Sequence, residues 1–152
     1  LLEDFVGSGS QSVAAVEWAV RNLDLPVLFI PLIICPPGAE AYEQLAERSA
    51  GKLTVRPLIS LRPGDLLGTR RNSEKGMPNA ESIEEFAQRK FEHVTGGPHD
   101  DPNRPPYTEF GWRKTGCSLV TYSNTPNNSL PLIHHRPEKS GWHPLFPRSA
   151  RV

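Results

Sequence analysis

The sequence contains only two cysteines, Cys35 and Cys117, and no apolar run long enough to span a membrane. Two cysteines cannot build the disulfide framework of a small secreted domain, and no signal peptide is present, so we expect a protein of the reducing cytoplasm. Lysine plus arginine (17) balances aspartate plus glutamate (17). The chain therefore has no overall field that favours nucleic acid or an anionic membrane, and a basic partner surface would have to be local.

Proline, by contrast, is abundant, with 16 among 152 residues, and most of these prolines follow the first sixty or so positions. Because proline lacks an amide hydrogen and fixes φ, the C-terminal half is predicted to be rich in loops. We predict three regions: an α/β core over 1–62, a polar loop with a helix over 79–94 in the region 63–106, and a loop-rich C-terminal extension over 107–152 that packs on the core.

Helix and strand patterns alternate in the first region. Apolar residues at three- and four-residue spacings predict a helix that begins after a Gly/Ser turn, with Ser10 or Ser12 available as its cap. The predicted elements are a helix over 11–23, a strand over 27–35, a helix over 39–50 and a strand over 53–61. Pro31 weakens the first strand, because it cannot donate to a ladder. This order indicates an α/β fold with a parallel sheet flanked by helices, whose ligands gather at the carboxyl ends of the strands.

The first eleven residues, LLEDFVGSGSQ, are the most informative stretch of the chain. The carboxylates of Glu3 and Asp4 can accept hydrogen bonds from sugar hydroxyls. Small residues let a backbone approach an anion, and the amides at a helix start donate to phosphate. The candidate phosphate-binding residues are Gly7, Ser8, Gly9, Ser10 and Gln11. A sugar phosphate needs both the carboxylate acceptors and the amide donors. In the alternative interpretation, the segment is a structural turn with a helix N-cap, and the acidic pair is exposed to solvent.

Other glycine-rich motifs fit this turn poorly. It lacks the lysine of the nucleotide-hydrolase phosphate loop, and position 12 is serine where the dinucleotide fingerprint has its third glycine. It also lacks the Gly-x-Ser-x-Gly elbow of serine hydrolases. Histidines and a cysteine in the second half have no spacing typical of a metal site, so none is predicted there; they are His134, His135, His143 and Cys117.

Two further groups in the second half leave alternatives open. Aromatic residues beside Arg113 and Lys114 either stack on a nucleobase or anchor a loop; they are Tyr107, Phe110 and Trp112. The asparagines at positions 124, 127 and 128 either satisfy turn backbone groups or read a base edge.

The segment Glu3-Asp4-Phe5-Val6-Gly7-Ser8-Gly9-Ser10-Gln11 resembles the phosphoribosyl pyrophosphate (PRPP) signature of type I phosphoribosyltransferases. In that family an acidic pair, two hydrophobic residues and a Thr/Gly-rich turn connect a parallel strand to a helix. The resemblance implies that Glu3 and Asp4 hold the ribose 2′- and 3′-hydroxyls, directly or through Mg²⁺, and that residues 8–11 cradle the 5′-phosphate. It also implies a small-molecule phosphoribosyl ligand as partner. Segments 110–112, 124–131 and 142–148 are similar to a phosphoribosyltransferase-like family of bacterial conflict and antiphage systems.

The chain departs from the family pattern in two residues. Gly7 stands where purine-salvage members carry a carboxylate that handles the proton on the base, and Gln11 replaces the usual hydroxyl residue. The chain begins with Leu1, and we expect an N-terminally truncated fragment, an incomplete fold that lacks the upstream pyrophosphate loop and is not a competent transferase alone. Phosphoribosyl transfer to an unknown acceptor, a non-catalytic nucleotide-sensing or effector subunit of a defence system, and a structural partner-binding domain all stay open.

Overall fold

Alternating strands and helices build the first part of the chain. The computed structural model describes residues 1–67, 79–95, 107–121, 125–137 and 141–147. The chain divides into two compact units, Leu1–Arg62 and Pro63–Val152. The elements of the first unit are β1 (Leu2–Val6), α1 (Val13–Asn22), β2 (Val27–Ile34), α2 (Pro36–Arg48), β3 (Leu53–Val55) and β4 (Ile59–Ser60). The predicted α/β class, a parallel sheet flanked by helices, is confirmed.

Strand β2 is the centre of this sheet. It pairs in parallel with β1 on one side and with β3 and β4 on the other. The Phe29 ring of β2 stacks on the Tyr42 ring of α2 with centroids 4.5 Å apart. Apolar side chains of the strands and of both helices close the core around this pair; they include Val6, Val16, Ala19, Val20, Val27, Ile34, Leu45 and Leu53.

The strand predicted over 53–61 is in fact two strands, and Pro31 explains the break. The Arg56 amide donates to the Phe29 carbonyl at 2.9 Å, and the Leu58 amide donates to the Pro31 carbonyl at 3.0 Å. A continuous parallel ladder would add a bond from the residue 31 amide to the Arg56 carbonyl. Proline has no amide hydrogen, so the ladder lapses at this point and resumes in β4.

The predicted start of the second helix, at residue 39, is also wrong. Pro36 and Pro37 form its first turn, where amides have no helical acceptor and proline is tolerated. The helix ends at Arg48, and Ala50 and Gly51 follow with left-handed φ values of 49° and 82°. Helix α1 begins at Val13, two residues later than predicted.

The second unit contains α3 (Ala80–Thr95), a hairpin of β5 (Tyr107–Thr108) and β6 (Gly111–Trp112), and the short α4 (Pro131–His134). The helix predicted over 79–94 is confirmed as α3. The apolar and β-branched segment 117–122 predicts a short strand, but its described residues form none. Cys117 forms only an isolated bridge opposite Ser129, in which its amide donates to the Asn128 carbonyl and its carbonyl accepts from the Leu130 amide. The three-region division of the chain stays a prediction.

An apolar cluster holds the second unit together. Its buried members are Leu67, Ala80 and Leu130, and the half-buried members include Ile83 and Phe110. Asn124 and two stretches of the predicted polar region 63–106, residues 68–78 and 96–106, lie outside the described residues. Within the described ranges, no helix has both the length and the hydropathy needed to cross a membrane.

Candidate phosphate site at the β1–α1 turn

The Gly/Ser turn follows the carboxyl end of β1 directly. The Cys35 amide donates to the Val6 carbonyl at 2.8 Å, which is the last bond between β1 and the chain that follows β2. The Gly9 carbonyl then accepts from the amides of Ser12 (3.1 Å) and Val13 (2.9 Å), and this pair starts α1. Gly9 is buried with φ of +77°, a conformation that glycine adopts without steric cost. Glycine at this position therefore lets the chain reverse from strand into helix.

Five successive amides of this turn have no acceptor within the described part of the chain. Among the residues that the structure describes, none accepts a hydrogen bond from the backbone N–H groups of positions 7–11. Such a run of donors beside a helix N-terminus has a positive local potential that suits a phosphate. All five residues predicted to bind phosphate lie in this run: Gly7, Ser8, Gly9, Ser10 and Gln11.

Two serine hydroxyls accompany these amides. The Oγ atoms of Ser8 and Ser10 lie 3.0 Å apart and share a hydrogen bond, in which either oxygen can be the donor. Ser8 is half-buried, whereas Ser10 and Gln11 are exposed. One hydroxyl hydrogen of the pair stays available to an incoming oxygen, so this turn offers side-chain as well as backbone donors.

The acidic pair is split between the two faces of the sheet. Glu3 is in register with Pro31, so it lies on the face of Phe29 and Tyr42 and is half-buried. Asp4 points to the opposite face and is exposed, because successive strand residues alternate. Burial raises the pKa of the Glu3 carboxyl above its ordinary value of 4.5, and the negative charge of Asp4 raises it further. The two carboxylates are thus close enough to repel, although they emerge on different faces.

Helix α2 supports the turn from beneath. The Tyr42 hydroxyl donates to Ser12 Oγ at 2.8 Å. Burial raises the pKa of Tyr42 above its ordinary value of 10.0; the bond to Ser12 opposes this rise, and the charge of Glu3 adds to it. Gly38 of α2 lies so close to the turn that a Cβ at this position would be 2.7 Å from the Gly7 carbonyl oxygen. The turn, Glu3 and the first half of α2 therefore form one packed group.

Tyr42 did not emerge as a site residue from the sequence. It lies on the apolar stripe of the second helix, at the spacing of a core position. A buried tyrosine needs a partner for its hydroxyl, and that requirement is the signal that would have pointed to a polar neighbour. The identity of the neighbour, Ser12, depends on how α1 and α2 pack and is not encoded in local spacing.

Glu3 and Asp4 are the candidate ligands for the Mg²⁺ that the resemblance implies. In the part of the chain that the structure describes, no group of three or more His, Cys, Asp or Glu side chains converges on one point. Mg²⁺ commonly takes only one or two protein carboxylates and completes its shell with water and substrate phosphates. Either Glu3 or Asp4 alone meets this lower requirement, because the two carboxylates emerge on different faces of the sheet and do not ligate one ion together.

The other candidate groups have structural partners. Phe110 packs in the apolar cluster of the second unit, as expected for an aromatic residue that anchors a loop. The Asn128 side-chain amide donates to the Trp112 carbonyl at 3.3 Å and to Thr115 Oγ1 at 2.9 Å. These bonds correspond to the alternative in which this asparagine satisfies polar groups of a turn. His134 is buried, with Nε2 3.3 Å from the Ser129 carbonyl oxygen and 3.2 Å from the Tyr107 hydroxyl.

The comparisons with known proteins agree with this arrangement at the level of the family. The family model PRTase-CE, which describes a phosphoribosyltransferase-type domain, matches residues 1–148. No curated protein and no solved structure matches the chain. The match takes in the strand, the acidic pair, the Gly/Ser turn and nearly all of the second unit. The chain therefore belongs to the PRTase-CE family of phosphoribosyltransferase-type domains.

Proposed function

We propose that the chain binds PRPP, or the ribose 5-phosphate part of a nucleotide, at the β1–α1 turn. The observation that carries this proposal is the run of backbone amides at positions 7–11 that have no acceptor among the described residues. Water would satisfy these donors in the free protein, and a phosphate dianion satisfies several of them at once with stronger, charge-assisted bonds. Family membership supplies the second support.

In this proposal the turn holds the 5′-phosphate and the acidic pair holds the ribose. The hydrogen-bonded pair of Ser8 and Ser10 adds one hydroxyl donor beside the backbone amides. The Glu3 carboxylate accepts from a ribose hydroxyl on the helix-covered face. Asp4 contributes from the other face, either by binding Mg²⁺ or because its negative charge raises the pKa of Glu3. Either Glu3 or Asp4 would hold the Mg²⁺, which supplies neutralising charge for the diphosphate of PRPP.

The chemistry that this site supports, where an acceptor base is bound, is displacement at the anomeric carbon of the ribose. Pyrophosphate leaves, and the bond from the anomeric carbon to a base nitrogen forms. The turn binds the 5′-phosphate, which takes no part in bond changes, so it holds substrate and transition state almost equally. Its contribution is to affinity and positioning rather than to the chemical step.

A non-catalytic role is the second candidate, and Gly7 favours it. A glycine at this position offers no carboxylate to handle a proton on the base. A subunit that keeps the phosphate-binding turn without this group would sense nucleotides or PRPP rather than convert them, and an effector role in a bacterial defence system belongs to this candidate.

Titration calorimetry with PRPP and Mg²⁺ tests the binding proposal. We expect ribose 5-phosphate to compete with PRPP and unphosphorylated ribose to be inactive. The double substitution Ser8→Ala with Ser10→Ala should weaken binding about tenfold, because the hydroxyl donor that the pair offers to a charged group is lost. Ser82→Ala, which removes an exposed hydroxyl from α3, is the matched control. Absence of PRPP binding by the unmodified chain would refute the proposal.

Two further measurements separate the candidate functions. Pyrophosphate release with PRPP and a panel of bases indicates a transferase, whereas binding without turnover indicates a sensor. Asp4→Ala should weaken PRPP binding in either case, and an unchanged affinity would remove the acidic pair from the site.

A further inference from the structure

Ser12 occupies the N-cap position of α1 without capping the helix. An N-cap serine ordinarily accepts a hydrogen bond from an amide in the first turn of its own helix. The Ser12 side chain makes no such bond. Its Oγ instead accepts from the Tyr42 hydroxyl at 2.8 Å, and no other described residue bonds to it. The side chain is therefore committed to α2 rather than to the helix that it begins.

Tyr42 is a rigid anchor for this bond. Its side chain is fully buried, and its ring stacks on Phe29 of the central strand. Removing the hydroxyl alone would leave the stacked ring in place, so the bond to Ser12 is separable from the contribution of Tyr42 to the core. The hydroxyl thus connects the centre of the sheet to the point where the Gly/Ser turn enters α1.

The Ser12 backbone is part of the same turn. Its amide donates to the Gly9 carbonyl at 3.1 Å, and its carbonyl accepts from Val16 at 3.0 Å. A Cβ at Gly9 would lie 3.8 Å from Tyr42 Cε2, so the tyrosine ring also packs beneath the tightest part of the turn. Fixing the Ser12 side chain consequently restricts the orientation of the amides that precede it.

We propose that Tyr42 is a positioning residue of the phosphate site, which holds the Gly/Ser turn in its ligand-binding shape through the hydrogen bond to Ser12. This inference rests on the proposed function, because it concerns the same site. Pre-organised donors bind more tightly than donors that must be ordered on binding, so loss of the bond lowers affinity even though Tyr42 touches no ligand.

A double-mutant cycle on ligand affinity tests the inference. Tyr42→Phe and Ser12→Ala should each weaken the binding of PRPP with Mg²⁺ about threefold to tenfold, the range of one net hydrogen bond. The double variant should bind no more weakly than the weaker single variant, because both changes remove the same interaction. Ser12→Thr keeps the hydroxyl and should retain affinity within about twofold.

Affinity is measured well below the unfolding temperature, with binding stoichiometry checked, so that loss of folded protein does not enter the result. Tyr107→Phe is the matched control, because it removes another tyrosine hydroxyl, the one 3.2 Å from His134 Nε2. It should leave the affinity for PRPP unchanged.

The outcomes separate the two proposals. Failure of the unmodified chain to bind either PRPP or ribose 5-phosphate overturns both. Tight binding by the unmodified chain together with equal affinity of Tyr42→Phe overturns the positioning role alone. Losses that multiply in the double variant also overturn it, because the two residues would then act by separate routes.

Discussion

The Gly7 carbonyl oxygen lies 2.7 Å from the place where a side chain on Gly38 would begin, so the first turn of α2 packs directly against the candidate phosphate turn. The same position is 2.7 Å from Val6 Cγ1. Backbone and a buried valine close this space from two sides, and neither is the flexible end of an exposed side chain. Helix α2 can approach the turn this closely only because residue 38 has no Cβ.

We therefore expect Gly38→Ala to destabilise the chain by about 1–3 kcal/mol, the usual cost of overpacking a tight contact, despite the higher helix propensity of alanine. Urea unfolding followed by circular dichroism measures the change. Gly51→Asn serves as a control, since position 51 has open space around it and asparagine tolerates its left-handed φ. A stable Gly38→Ala variant would show that α2 can withdraw from the turn.

Gly9→Ala should alter the turn itself. The φ of +77° costs alanine about 1–2 kcal/mol, and the new Cβ would lie 3.0 Å from Val13 Cγ2. We expect lower stability and also weaker binding of PRPP, because the amides on both sides of residue 9 must move. Unfolding curves and calorimetry on the same samples separate the two effects. Lower stability with unchanged affinity would mean that the ligand does not use these amides.

The stability of the chain should depend on Glu3 in a defined pH window. Its folded pKa is above the ordinary value of 4.5, so the folded state binds this proton more tightly than the unfolded state. Folding stability from this group therefore falls as pH rises from 4.5 through the folded pKa, and is level beyond it. Glu3→Gln cannot ionise, and its advantage over the unmodified chain should grow across that window.

Urea titrations at a series of pH values measure this difference in the free energy of unfolding. Asp4→Asn is the matched variant, because it removes one of the two causes of the shift and leaves burial. It should reduce the pH dependence without abolishing it. A difference between Glu3→Gln and the unmodified chain that stays flat with pH would contradict the assignment. Gain of stability together with loss of PRPP affinity in Glu3→Gln is the combination expected of a binding residue.

The turn after β6 carries strain that substitution can relieve. Arg113 and Lys114 have φ values of 54° and 55°, and the Thr115 amide donates to the Trp112 carbonyl at 3.3 Å. These are the features of a type I′ turn, which favours Asn-Gly. Replacing Arg113-Lys114 by Asn-Gly should stabilise the chain by about 1–2 kcal/mol in thermal or urea unfolding. Ala-Ala at the same positions keeps the strain and should give no such gain.

Local patterns in the sequence predicted the elements whose formation depends on local chemistry. The spacing of apolar residues predicted α1 and α3, the apolar run predicted β2 despite Pro31, and the Gly/Ser turn predicted the break between β1 and α1. The predicted start of α2 at residue 39 was wrong, because prolines break a helix in its interior but are accepted in its first turn, and α2 begins at Pro36.

Features that depend on packing between elements could not be predicted from local sequence patterns. β3 and β4 are separate strands because their segment pairs with β2 on both sides of Pro31. The sequence of one segment does not show which strand it pairs with or in which register. The separation of Glu3 and Asp4 onto two faces follows from β1 continuing to Val6. The bond between Tyr42 and Ser12 joins residues thirty positions apart.

Pro31 also has a consequence for folding. The observed alignment places the missing donor of Pro31 opposite Arg56, in the gap between β3 and β4, where the Arg56 and Leu58 amides still donate to β2. A slipped alignment would place this missing donor inside β3 or β4 and would interrupt the ladder within a paired strand instead of between two strands. Pro31 therefore favours the native register. It disfavours misregistered β-structure during folding, before this nearly all-apolar strand has paired with its neighbours.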